Sequence, residues 1–128
     1  MDEFYSLEKL EVFKLANEIG EVVWSLVNPW SYFEKDTVGK QFVKSDDSVS
    51  ANIAEGYGRY SYKENIQFCY YSRGSLIETK VWNLKAKNRK LVSELEYNNL
   101  NEKIDLLIKK LNGYINYLKK SSLQTKNN

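Results

Sequence analysis

At 128 residues the chain has the length of one domain, and folding at that size buries roughly two thirds of the unfolded surface. A hydrophobic fraction of 42% with 28% charged residues excludes an intrinsically disordered chain, and no apolar run approaches the ~20 residues of a membrane-spanning helix. The absence of histidine removes Ser-His-Asp and Cys-His catalysis and the Glu-x-x-His ligands of carboxylate-bridged iron bundles.

The formal charge of +2 hides an asymmetry. Residues 1–56 carry 11 acids and 5 bases, whereas residues 57–90 carry 8 bases and 2 acids. The basic middle either faces an anionic partner or is neutralised by the acidic helices of the same fold. The single Cys69 rules out an internal disulfide and a thiolate zinc site, and it fits a reducing compartment. The N-terminal Met1-Asp2-Glu3-Phe4-Tyr5 has no basic-then-apolar leader, so the expected location is cytoplasmic, with no membrane association.

One proline and six glycines permit long helices. The first helix is predicted over about Leu7 to Val27: Val12, Ala16, Ile19, Val23 and Leu26 alternate spacings of four and three, and Phe13, Trp24 and Val27 widen the stripe. Asn28-Pro29 ends it. Ser31 and Glu34 have the spacing of a capping box and open a second helix, with Val38, Phe42, Val49 and Ile53 on its buried side. Gly39 costs that helix about 1 kcal/mol of propensity, which suggests a close backbone approach. The polar run Lys44-Ser45-Asp46-Asp47-Ser48 interrupts the apolar pattern, and the helix is expected to end at Glu55 or Gly56 in a left-handed glycine cap.

Ser61 and Glu64 repeat the capping spacing and start a third helix, to about Asn88. Ile66, Tyr70, Gly74, Ile77, Val81 and Leu84 share one face of it. Phe68, Ser72, Ser75, Thr79, Trp82 and Ala86 lie nearly opposite. Two such faces imply burial on both sides, the first against the protein's own core. Phe68, Ser72, Ser75, Thr79 and Trp82 are then the expected interface with a neighbouring copy, unless the helix is simply central in a monomer. Ser93 and Glu96 start a fourth helix, running to about Lys120, with Leu100, Ile104, Leu107, Leu111, Tyr114 and Leu118 in near-heptad register. The polar tail, Ser121 to Asn128, is expected to fray. Four amphipathic helices with short joins predict an all-α, antiparallel up-down four-helix bundle over residues 1–120.

Catalytic signals are missing. Gly56-x-Gly58 lacks the third glycine and the preceding strand of a dinucleotide fingerprint, and Gly39-Lys40 lacks the rest of a phosphate loop. Asp46 and Asp47 point about 100° apart on a helix, so they make a poor shared metal ligand, and no metal or cofactor is expected. Asn52, Glu55, Arg59 and Glu78 are the polar residues that stand out. They read either as a clamp on the loop between the second and third helices or as a ligand cluster. Arg73, Lys80 and Lys87 repeat every seven residues on one flank of the third helix. Arg59, Lys85, Arg89 and Lys90 add charge, and Tyr57, Tyr60 and Tyr62 lie near Arg59. Basic side chains beside aromatics are one way to hold nucleic acid, although a lysine row is also an ordinary solvated face.

The stretch Asn52-Ile53-Ala54-Glu55-Gly56-Tyr57-Gly58-Arg59, followed by Phe68 and by Gly74-Ser75-Leu76 with Glu78, resembles the four-helix-bundle proteins of the 23S rRNA intervening-sequence family. Leu10-Glu11-Val12-Phe13 with Ala16, and Leu111-Asn112-Gly113-Tyr114-Ile115, extend the resemblance over residues 7–120. It implies antiparallel four-helix bundles that assemble as ring-like homopentamers, some encoded within rRNA genes, with an RNA or ribosome role inferred from that setting. A distant relative partners a reverse transcriptase. It also implies that Asn52, Glu55, Gly56, Gly58, Arg59, Gly74, Ser75 and Glu78 form a motif whose role is structural. Many members carry paired arginines in the second helix where this chain has Val43-Lys44, with Asp46-Asp47 following. The expected protein is therefore a non-enzymatic homo-oligomer that engages RNA or a ribonucleoprotein through helix three. The rival reading is a protein-binding adaptor.

Overall fold

The computed structural model describes residues 3–127. The predicted domain and tail also include Met1, Asp2 and Asn128, which lie outside the described residues. In chain order the elements are α1 (Glu3–Glu8), α2 (Glu11–Val27), α3 (Tyr32–Glu34), a π-helical turn (Lys35–Gly39), α4 (Lys40–Tyr57), α5 (Tyr62–Asn88) and α6 (Glu94–Asn127). There is no strand among the described residues.

Four long helices form a ring of neighbours: α2 packs on α4 and α6, and α5 packs on the same two. Each contact runs antiparallel. Along α5 and α6, Arg73 reaches Asn112, Lys80 reaches Asp105, and Lys87 reaches Glu94. Along α4 and α5, Ser45 meets Thr79, and Ser72 donates to the Val49 carbonyl. Along α2 and α4, Val27 abuts Gly39 and Gly20 abuts Asp46. The fold is an all-α, antiparallel up-down four-helix bundle. Its core holds Ile19, Val23, Phe42, Val49, Ile53, Leu76, Leu100, Ile104, Leu107 and Leu111. No helix among the described residues is long and apolar enough to cross a membrane.

The helix starts follow the capping spacings. Ser31 N–H donates to Glu34 Oε1 at 3.0 Å and Glu34 N–H donates to Ser31 Oγ at 3.3 Å. Ser93 and Glu96 form the same reciprocal pair at 2.8 and 3.1 Å. At α5 only half the box forms: Glu64 N–H donates to Ser61 Oγ at 3.1 Å, while the Glu64 carboxylate lies 3.7 Å from Arg59.

Several expectations need correcting. The first predicted helix is two, because Leu10 is extended (φ −71°, ψ 123°) and separates α1 from α2. Trp24 does not widen the buried stripe but is exposed. The second predicted helix contains the π-helical turn, and within its polar run Ser45 and Asp46 are buried. It ends at Tyr57 with right-handed Gly58 (φ −78°) as cap, and no glycine among the described residues has positive φ. Gly56 is instead a contact glycine. A Cβ there would stand 2.8 Å from Asn65 Oδ1, 2.9 Å from Phe68 Cβ and 3.0 Å from the Asn65 carbonyl. The end of α5 carries the left-handed residue, and it is Lys90 (φ 60°). Leu91 N–H donates to the Ala86 carbonyl at 2.8 Å and Lys90 N–H to the Lys87 carbonyl at 3.0 Å, the paired bonds of a Schellman motif. Residues 121–127 continue α6 rather than leaving it.

The main correction concerns α5, whose two faces are reversed. Asn65, Cys69, Ser72, Leu76, Thr79, Asn83 and Ala86, spaced alternately four and three, are the buried row. Ile77, Val81 and Leu84 are 52%, 45% and 43% exposed. Ser72 and Thr79, expected at an interface between copies, are fully buried within one chain. The small polar row faces inward because it lets α4 and α5 approach closely while partners on α4 and α6 meet most of its polar atoms, Asn83 Oδ1 being left without one. Ser72 bonds the Val49 carbonyl, Thr79 bonds Ser45, Ser75 bonds Ser48, and Asn83 donates to the Tyr97 carbonyl. A buried hydroxyl with a partner costs little, so apolar periodicity alone does not decide which face turns inward.

Candidate functional site

The loop between α4 and α5 is closed by a polar clamp. Arg59 bonds Glu55 at 2.5 Å, one helical turn earlier, lies 3.7 Å from Glu64, and stacks its guanidinium over Phe68 at 4.9 Å. Phe68 meets Tyr71 edge-on and its Cβ fills the space left by Gly56. Asn52 is not part of the clamp, since its side-chain amide donates to the Ser48 carbonyl at 2.8 Å. Glu78 accepts from Trp82 Nε1 at 3.3 Å on its own helix. The four singled-out polar residues are thus not one cluster; only Glu55 and Arg59 come together. Of the other motif residues, Ser75 contributes to the α4–α5 seam through Ser48, and a Cβ at Gly74 would meet nothing within 4 Å.

The basic flank of α5 faces α6. Arg73 Nη1 donates to Asn112 Oδ1 at 2.8 Å and its guanidinium lies over Tyr70. Lys80 pairs with Asp105 at 2.6 Å. Lys87 pairs with Glu94 at 3.4 Å and lies 4.7 Å from the Tyr97 ring centroid. Lys85 lies over Trp82. Arg89 and Lys90 are exposed at the end of the helix and form none of the described ion pairs. The heptad row therefore zips α5 to α6, through half-exposed pairs each worth about 0.2–1 kcal/mol. Of the residues expected at an interface between copies, Phe68, Ser75 and Trp82 are half-buried by their own chain.

Two features escaped the sequence reading. The first is the outer face of α5, where Tyr70, Gly74, Ile77, Val81 and Leu84 keep heptad spacing and Ile77, Val81 and Leu84 stay exposed among the described residues. Its periodicity was visible, but its orientation was not. The second is Asp46. It is 1% exposed, and neither carboxylate oxygen has a hydrogen-bond partner. Burial, reinforced by the neighbouring charge of Asp47, pushes its pKa up to about 7. Gly20 makes room for it, because a Cβ there would lie 3.3 Å from Asp46 Oδ2. The signal was present: Phe42, Asp46, Val49 and Ile53 fall on one four-three-four row. Asp47, next along, is exposed, and among the described residues no three Asp, Glu or Cys side chains gather in a way that could hold a metal ion. Cys69 is buried, bonds Asn65 Oδ1, and has its pKa raised by burial to about 11, so it is not a poised nucleophile.

Residues 8–113 match the family model described as 23S rRNA-intervening sequence protein. Among solved structures, the fold is similar to a protein of unknown function from the S23 ribosomal protein family of Bacteroides thetaiotaomicron VPI-5482. The TM-score is 0.73 at 20% identity, covering 81% of this chain and 97% of that one. No curated protein matches.

Proposed function

The chain belongs to the 23S rRNA-intervening sequence protein family, and from that premise we propose that it is a non-catalytic scaffold that self-associates and carries RNA or a ribonucleoprotein. The observation that supports this reading best is the outer face of α5. Ile77, Val81 and Leu84 form an apolar seam on a helix already packed on both α4 and α6. Full burial of each such side chain is worth about 1.5–3 kcal/mol, and open space at Gly74 lets a partner's side chain enter the seam. A ring, with five copies as the family resemblance implies, needs this seam to meet a different surface of the next copy, because head-to-tail contacts are what close rings.

Native mass spectrometry tests the scaffold. The wild type should be a closed oligomer, and Ile77→Asp with Val81→Asp should yield a helical monomer. A monomeric wild type would end this reading. The RNA half draws on the family name and on the excess of bases in residues 57–90. RNA affinity should fall steeply with salt as phosphate contacts release counterions. The engagement of Arg73, Lys80 and Lys87 with α6 favours a second reading, a protein-binding adaptor without RNA. A filter-binding assay at low salt separates the two.

A further inference from the structure

A groove of about 320 Å³ opens between the C-terminal half of α2 and the π-helical turn and start of α4. It has an almost wholly apolar floor that includes Trp24 and Val43, and three lysines, Lys35, Lys40 and Lys44, line it. Gly39 sets its shape. A Cβ there would stand 2.8 Å from Val27 Cγ1, so the backbone of the π-helical turn lies directly against α2 and the groove opens beside it. Such π-helical insertions are frequent at functional sites. Trp24 is 59% exposed, so its own chain leaves much of the indole uncovered. All three lysines are exposed, and none enters an ion pair: the described pairs take up Arg59, Lys80, Lys87 and Lys110. No acid lines the groove. Arg73, Lys80 and Lys87 of α5, by contrast, each have a partner on α6.

We propose that this groove seats single-stranded RNA, one base lying on Trp24 and the flanking phosphates meeting Lys35, Lys40 and Lys44. The inference rests on the RNA reading above and gives it a site. An aromatic face beside a track of cations is the recurring arrangement for single strands. A small apolar carboxylate would fill the floor but answer only one of three lysines, whereas phosphates recur along a strand and answer all three. The three lysines span about nine residues of helix, roughly 13 Å, so they form a line rather than a point. The apolar floor offers few partners to base edges, so binding should be nearly independent of sequence.

Fluorescence anisotropy with a short labelled oligouridylate at about 50 mM salt tests the site. The triple variant Lys35→Gln, Lys40→Gln, Lys44→Gln should bind at least about tenfold more weakly. It should also flatten the slope of log affinity against log salt by about two, as expected for three lost phosphate contacts on a single strand. Trp24→Ala should cost about tenfold and Trp24→Phe much less, because a ring is kept. All these side chains are exposed, and circular dichroism confirms that the variants fold. Lys103→Gln, Lys109→Gln, Lys120→Gln on α6 removes the same charge elsewhere. Equal weakening by that control would reduce the effect to overall charge and overturn the site. If the wild type binds RNA and the groove variants bind it as well, the groove is wrong while the RNA reading stands. Loss of the oligomer in the groove triple would then hand the groove to a second copy. If the wild type binds no RNA at low salt, the RNA reading falls and the groove falls with it.

Discussion

Asp46 and Lys90 both sit against ordinary preference. Asp46 has no hydrogen-bond donor for either carboxylate oxygen, and burial raises its folded-state pKa from 3.8 to about 7. An acid whose pKa is raised on folding contributes its full stability below the unfolded pKa and loses it as pH rises through the folded one. Relative to Asp46→Asn, the wild type should therefore lose stability between about pH 4 and pH 7, and the gap should stop growing above that. The cumulative difference is on the order of a few kcal/mol. Urea denaturation of both proteins across that range measures it, and parallel curves would refute the assignment. Asp47 is shifted in the same direction, chiefly by partial burial and then by Glu21, so its own titration does not mask the effect. Lys90 holds the left-handed position of the Schellman motif, where a Cβ is strained by about 1 kcal/mol. Lys90→Gly should raise the thermal midpoint slightly despite glycine's greater unfolded-state entropy. A fall would mean that the lysine side chain contributes more than the strain it imposes.

At the scale of elements, α4 and α5 combine a close inner seam with an exposed outer face. Their seam is closed by small residues, and Gly56 lies where the end of α4 presses on Asn65 and Phe68. Replacing a helical glycine with alanine normally gains up to about 1 kcal/mol. At Gly56 it should instead cost about 1–3 kcal/mol, because the atoms a Cβ would meet include the Asn65 backbone carbonyl, which cannot move aside. Gly74→Ala, with open space around it, should be neutral or stabilising in the monomer. Thermal denaturation of the pair checks the contrast, and a stabilised Gly56→Ala would show that the seam is softer than its distances imply. The helix starts at Ser31, Ser61 and Ser93 were legible because capping is a local bond between residues three apart. The orientation of α5 was not legible. Both of its rows keep heptad spacing, and the one with more apolar side chains faces outward, because the inner row's hydroxyls find partners only once α4 is in place.

For the whole molecule, the proposed assembly through the exposed seam of α5 predicts that stability depends on protein concentration. If copies associate through Ile77, Val81 and Leu84, the thermal midpoint should rise with protein concentration by mass action, and the Ile77→Asp, Val81→Asp variant should lose that dependence. A midpoint that stays fixed over a hundredfold dilution would count against assembly. The described ion pairs fall at three places: Arg59 with Glu55 and Glu64, α5 with α6, and Glu11 with Lys110. The groove beside Trp24 is lined by three lysines that take part in none of the described ion pairs.

Sequence by itself determined the four-helix architecture, the capped helix starts and the family, because those rest on periodicities and bonds between near neighbours in the chain. Tertiary structure alone decided which face of α5 is wet, that Asp46 is enclosed without a donor, and that the lysine row of α5 is answered by α6 while Lys35, Lys40 and Lys44 are not. Each of those depends on what a distant helix brings to within a few ångströms, and a one-dimensional pattern carries no record of it.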